Sequence, residues 1–235
     1  MLTLRKANER GHTDLGWLNS YHTFSFGSYN DPNHMGFRAL RVINDDRVAP
    51  AKGFGAHGHR DMEILSYVME GKLGHKDSMG EAHVLGPNEV QAMSAGTGVI
   101  HSEFNPSPTE ATHFFQVWLV PATSDVEPSY QQFAYDPTEK RGALRLIAGP
   151  DKNTNPPSAF IHQDARMFAA VLGGGESIEY PIAPGRHAWV QCADGAIEVN
   201  GLVLATGDGV AVSDERALSL RGTGDGGELL LFDLA

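Results

Sequence analysis

FRALRVI (37–43), MEILSYVME (62–70), AHVL (82–85), EVQAM (89–93), GVIHSEF (98–104) and HFFQVWLV (113–120) decide the fold. Each run is rich in β-branched and aromatic residues, which favour strands. Between them lie clusters of turn formers: Asn44-Asp45-Asp46, Glu70-Gly71-Lys72, Ser78-Met79-Gly80 and Gly86-Pro87-Asn88. Strands roughly eight to twelve residues apart with this punctuation predict a β-sandwich or barrel. Helical periodicity is nearly absent, so the expected class is all-β.

A Pro/Asn-rich stretch, Gly149 to Pro157, interrupts the pattern, and the strand rhythm then resumes in HAWVQCADGAIEVNGLVLATGDGVAVSDERALSL (187–220). Aligning Gly195 with Gly71 matches AWVQCADG to EILSYVMEG, an internal duplication. The expected organisation is a barrel over 1–148, a connector at 149–157 and a second barrel over 158–235. In that alignment Pro181 and Ala183 take the places of His57 and His59, and no histidine follows His187. Nine of the eleven histidines precede residue 131. Metal chemistry is therefore expected in the first barrel only.

Two short stretches carry that chemistry, His57-Gly58-His59 and His101-Ser102-Glu103. Side chains at i and i+2 of a strand share a face, so each pair would project from one side of a sheet. Two such strands side by side offer three imidazoles and a carboxylate to one point. That set suits a divalent first-row metal such as iron, nickel, copper, manganese or zinc. Glu63 shares the parity of the first pair in an unbroken strand and is the competing acid; its alternative role is pairing with Arg60 or a neighbouring strand. His75, His83 and His113 read as surface or supporting histidines, and His22 and His34 as structural.

Composition narrows the function classes. The net charge of −11 is spread along the chain, with fifteen acids against ten bases up to residue 130 and fourteen against eight after it. An acidic chain without a basic run is a poor partner for nucleic-acid phosphates. The single cysteine, Cys192, lies in an apolar run and forms neither a disulfide nor a cysteine cluster. The start, MLTLRKANERGH, has charges where a signal peptide needs its apolar core, and no run has the length of a membrane helix. The expectation is a cytosolic protein that neither enters a membrane nor binds nucleic acid.

The segment Gly53–Asn105 resembles the double motif of the cupins, small β-barrels with H-x-H in one motif and G-x-x-H-x-x-x-N in the other. Here these read His57-Gly58-His59 followed by Gly71, and Gly98-Val99-Ile100-His101 followed by Asn105. The acid of most cupins falls at Ile64, a departure that is similar to the pirin family. Further matching runs are Trp17-Leu18, Tyr21 to Phe26, Leu40 to Asp46, HGHRDMEILSYVMEG, Asp77-Ser78, MSAGTGVIHSEFN and Gln116-Val117-Trp118. The resemblance runs from Leu4 onward and implies a bicupin, two tandem jelly-roll-like barrels with one divalent metal in the first. It implies His57, His59, His101 and Glu103 as ligands, with iron(II) first among the metals and nickel, manganese, copper or zinc as alternatives. It also implies quercetin 2,3-dioxygenase activity, in which a planar flavonol or related enediol reacts with dioxygen and loses carbon monoxide. Glu103 would then be both ligand and general base, and Phe54 would stack on the substrate at the barrel mouth, unless it is core. Met93, Gln116 and Trp118 are candidates to line or support the site, with a core role the favoured reading for each. The resemblance also leaves open a redox-sensing interaction protein with a protein partner, like the transcriptional co-regulators of the family, and a structural cupin whose metal only stabilises the barrel.

Overall fold

A computed structural model describes all 235 residues: twenty strands and two short 3-10 helices, Ala7–Glu9 and Pro137–Lys140. The strand-forming runs of the sequence appear in order, joined by tight turns. Gly71, for example, has φ 73, the left-handed conformation that glycine adopts without strain. The expected turn at Asn44-Asp45-Asp46 is not one. All three residues lie inside the strand Leu40–Val48, where they are buried. They are polar because of what they face, not because the chain bends there.

Two compact units form. The first comprises Gly11–Tyr135 and Pro150–Gln163 and contains two antiparallel sheets. Its seven-stranded sheet runs Ser129–Ala134, Glu89–Ser94, Glu63–Glu70, Thr112–Leu119, Leu40–Val48, Leu18–His22, Gly11–Asp14. Its four-stranded sheet runs Gly53–His59, Val99–Phe104, Leu73–Asp77, Ala82–Leu85. Alternating side chains of the two sheets meet in apolar clusters, one around Leu18, Val68, Leu73 and Phe114 and another around Ile64, Met93 and Val99. Sheet-on-sheet packing of this kind leaves the ends of the sandwich open for a site.

The second unit comprises Met1–Arg10, Asp136–Gly149 and Asp164–Ala235. An apolar interior of Val190, Cys192, Ile197, Leu218, Leu229 and Leu231 holds it together. Both ends of the expected 1–148 barrel therefore belong elsewhere. Leu2–Arg5 pairs with Gly209–Val212, because the half-buried Leu2 and Leu4 pack against the second unit's core. The expected connector is not a free linker either. Residues 150–163 pack with the first unit, where Gln131 brackets the Phe160 backbone with hydrogen bonds of 2.9 and 3.0 Å. No helix is long and apolar enough to cross a membrane.

Candidate metal centre

His57 and His59 leave one strand on one face, and His101 and Glu103 leave the adjacent strand on the same face. His57 lies directly opposite His101. The register then slips, so that Glu103 faces Phe54 rather than Gly55. This bulge places Phe54 on the cavity side although it is three residues from His57. Gly53 permits the close approach, since a Cβ there would collide with the Glu103 carbonyl and the Phe104 backbone.

The three imidazoles converge, with ring centroids 4.5 Å apart for His57–His101 and 4.8 Å for each of the other pairs. His57 Nδ1 lies 2.7 Å from the Gly55 carbonyl, which places the proton on Nδ1 and leaves Nε2 a lone pair. That Nε2 is 3.0 Å from Nε2 of His101. Burial, reinforced by the neighbouring imidazoles, lowers His59 to about 4 and His101 to about 3. Three rings whose ligating nitrogens lie within 4.8 Å of one another fit a divalent cation, and the Gly55 contact is the outer support that ligating histidines use.

Glu103 is buried beside them and held by donors. Gln116 Nε2 donates to Oε2 at 2.6 Å, while Ser66 Oγ and Gln91 Nε2 donate to Oε1 at 3.2 and 3.4 Å. Trp118 in turn donates to the Gln116 carbonyl oxygen at 3.3 Å. Burial raises the Glu103 carboxyl, while the nearby histidines and these donors oppose the rise.

His57, His59, Glu103 and Phe54 form one wall of a cavity of about 290 Å³. Phe26, Trp118 and Leu18 add apolar surface. The opposite floor is polar: Thr13, Ser20, His22, Asn44, Asp46 and Gln116, from four neighbouring strands. His22 is fixed between Thr13 (2.9 Å) and Asn44 (2.8 Å). Gln116 and Trp118, expected in the core, therefore line the site, and so does His22, expected to be structural. Phe54 lines the cavity and meets Trp17 edge-on at 5.4 Å. Met93 is in the core.

Glu63 points elsewhere. The chain reverses at Asp61 (φ 47) and enters the other sheet, so the parity of His57 and His59 is not carried across. Glu63 accepts a hydrogen bond from Ser94 at 2.8 Å and meets His162 at 3.3 Å; Arg60 pairs instead with Asp125. His75 lies directly across from Glu103 on the next strand, buried, with Nε2 2.8 Å from Asp77. His75, His101 and Glu103 form a second group of converging donors. His83 is paired with Glu81, His113 with Asp45 and His34 with Asp31.

Residues 3–119 match the Pirin family model, and residues 146–234 match the quercetinase C-terminal cupin domain. The chain is 47% identical over 234 residues to the quercetin 2,3-dioxygenase of Escherichia coli K12, covering all of this chain and 99% of that protein. It is 37% identical to a pirin-like protein of Caulobacter vibrioides, with both chains fully covered. The crystal structure of YhhW from Escherichia coli superposes with a TM-score of 0.95 at 46% identity over 100% of this chain and 98% of that one. The nickel(II) complex of bacterial pirin YhhW superposes with a TM-score of 0.93 at 45% identity, covering 100% and 99%. Two cupin-type units, a histidine cluster in the first and full-length identity of this order have one reading: the chain is a member of the pirin family, a bicupin.

Proposed function

We propose that this protein is a metal-dependent dioxygenase that cleaves quercetin or a related flavonol or enediol with dioxygen. The observation that carries the reading is the cluster of His57, His59 and His101, two of which face an aromatic-lined cavity together with the buried Glu103 carboxylate. His57, His59, His101 and Glu103 would hold one divalent metal, with iron(II) as the resident ion and the cytosol as the compartment. Such a metal would supply Lewis acidity toward a substrate hydroxyl and, when redox-active, dioxygen chemistry.

The chain's own groups do the rest. Phe54, Trp118 and Phe26 give a planar ring apolar faces to pack on, and their burial of it excludes water. Gln116 and Ser66 hold Glu103 in one orientation. Two carboxylates line this cavity, Glu103 on the histidine side and Asp46 on the floor.

Metal analysis of untagged protein, with oxygen uptake and carbon monoxide release on addition of quercetin, tests the proposal. His57→Ala should lose the metal and His75→Ala should keep it. Metal-loaded protein that consumes no oxygen across a panel of flavonols would overturn the enzymatic reading and favour a regulatory one.

A further inference from the structure

Glu103 has little room to act as a base. A carboxylate offers four lone-pair sites on two oxygens. Ser66, Gln91 and Gln116 occupy three of them. One bond to a metal takes the fourth, and none is left for a substrate proton.

Asp46 is placed differently. It stands on the strand Leu40–Val48, across from Ser20 on one side and Phe114 on the other. Asp46 is 2% exposed and lines the same cavity as His57, His59 and Glu103. Its carboxyl takes one hydrogen bond from Ser20, while Oδ1 is buried with no partner at all. A buried acceptor without a donor has a cost that persists where function needs it. Asn44, two residues away on the same face, sits directly opposite Gln116, the residue that holds Glu103. Two residues of strand span about 7 Å, a distance bridged by an aromatic ring with its hydroxyl.

We propose that Asp46 is the proton acceptor of the reaction, its unpartnered Oδ1 taking the proton of the substrate hydroxyl engaged at the histidine wall. This rests on the flavonol reading above. The substrate O–H bond breaks with both electrons left on oxygen, a new O–H bond forms on Asp46, and the products are an oxyanion and a neutral carboxylic acid. Neutralising Asp46 as the substrate becomes anionic keeps two negative charges from facing each other inside the cavity. Burial holds the Asp46 carboxyl near 7, the range in which a base works best at neutral pH. The titratable groups around it are Glu103, His57 and His59 across the cavity, His22 on the neighbouring strand, and Asp45 on its own strand. Asp45 is compensated by His113 at 2.7 Å and Arg47 at 3.3 Å.

The test uses zinc-loaded protein and quercetin without oxygen, so that binding is read without turnover. Absorption reports whether bound quercetin is ionised, and calorimetry in two buffers of different ionisation enthalpy counts protons released. Just above neutral pH the wild type should bind ionised quercetin and release no proton, because Asp46, raised further by the oxyanion beside it, keeps it. Asp46→Asn, with its metal content intact, should either release one proton to buffer or hold quercetin neutral, and Asp46→Glu should restore the wild-type signature. With a redox-active metal, Asp46→Asn should lower kcat about a hundredfold or more and remove the rise of rate through neutral pH. Wild-type behaviour in Asp46→Asn would overturn the assignment, as would the altered signature of Asp46→Asn appearing in metal-retaining Glu103→Gln. If wild-type protein binds no quercetin, the functional reading falls and takes this assignment with it. If binding is intact and independent of Asp46, only the assignment falls.

Discussion

Replacing Asp46 by Asn in metal-free protein should stabilise the fold, and the gain should grow with pH. Burial carries this carboxyl from its ordinary value of 3.8 to about 7, and the like charges of Asp45 and Glu103 add to the rise against the hydrogen bond from Ser20. Between these two values the native state holds a proton that the unfolded chain has already lost. Native stability therefore falls as pH rises through this window, and the full cost is present above it. A displacement of roughly 3 pKa units at about 1.4 kcal/mol each sets a ceiling of about 4 kcal/mol. Asparagine keeps the shape and an oxygen for the Ser20 hydroxyl but carries no charge to bury. Urea unfolding of chelator-treated protein should show the variant's advantage growing by about 2.5 kcal/mol between pH 5 and pH 8. A constant advantage, or a variant less stable at pH 8, would mean that Asp46 is ionised and compensated in the native state. Its role as a poised acceptor would then be untenable.

Other outcomes follow from the same geometry. His57→Ala removes a donor whose tautomer the Gly55 carbonyl fixes, and metal per chain should fall to background, whereas His75→Ala should leave metal content unchanged. Glu103→Gln removes the charge of a ligand and should weaken metal binding by more than the roughly 10- to 100-fold that follows a change in a ligand's supporting residue, yet keep the neutral-pH rise in rate at saturating metal. A hundredfold loss at full metal occupancy, about 2.7 kcal/mol of barrier, would return the base role to Glu103. Gln116→Ala frees one Glu103 oxygen from its shortest hydrogen bond and should reduce metal affinity more than thermal stability, as read by competition with a chelator and by melting. Leu231→Ala opens a void in the fully buried core of the second unit and should cost about 3 kcal/mol in urea unfolding, with metal content unaltered.

The fold and half of the site could be read from residue order because both depend on local periodicity. The strand runs between 37 and 120 needed only alternation and turn residues, and the His57/His59 and His101/Glu103 pairs needed only i, i+2 spacing. Parity failed where the strand did not continue. Asp61 turns the chain into another sheet, so Glu63 reaches Ser94 and His162 instead of the cavity. It failed in the opposite sense at Phe54, which a bulge brings onto the inner face. The division at 148 failed because chain order does not record that Leu2–Arg5 completes a sheet with Gly209–Val212.

The deeper miss is Asn44-Asp45-Asp46. Three polar residues after an apolar run satisfy every local rule for a turn, and the strand signals on either side encourage that reading. In the folded chain they continue a central strand, and each polar group has a destination. Asn44 meets His22, Asp45 meets His113, and Asp46 faces the cavity with one oxygen unused. Each compensating residue is distant in sequence, His22 by 22 positions and His113 by 68, so no window of a few residues contains the explanation. A local rule broken inside a well-formed strand, at a cost in stability, marks where selection for a task has overridden propensity. His22 and Thr13 strengthen this inference for the cavity floor as a whole. They spend buried hydrogen bonds on holding Asn44 in place, when apolar residues of similar size would pack there without needing partners.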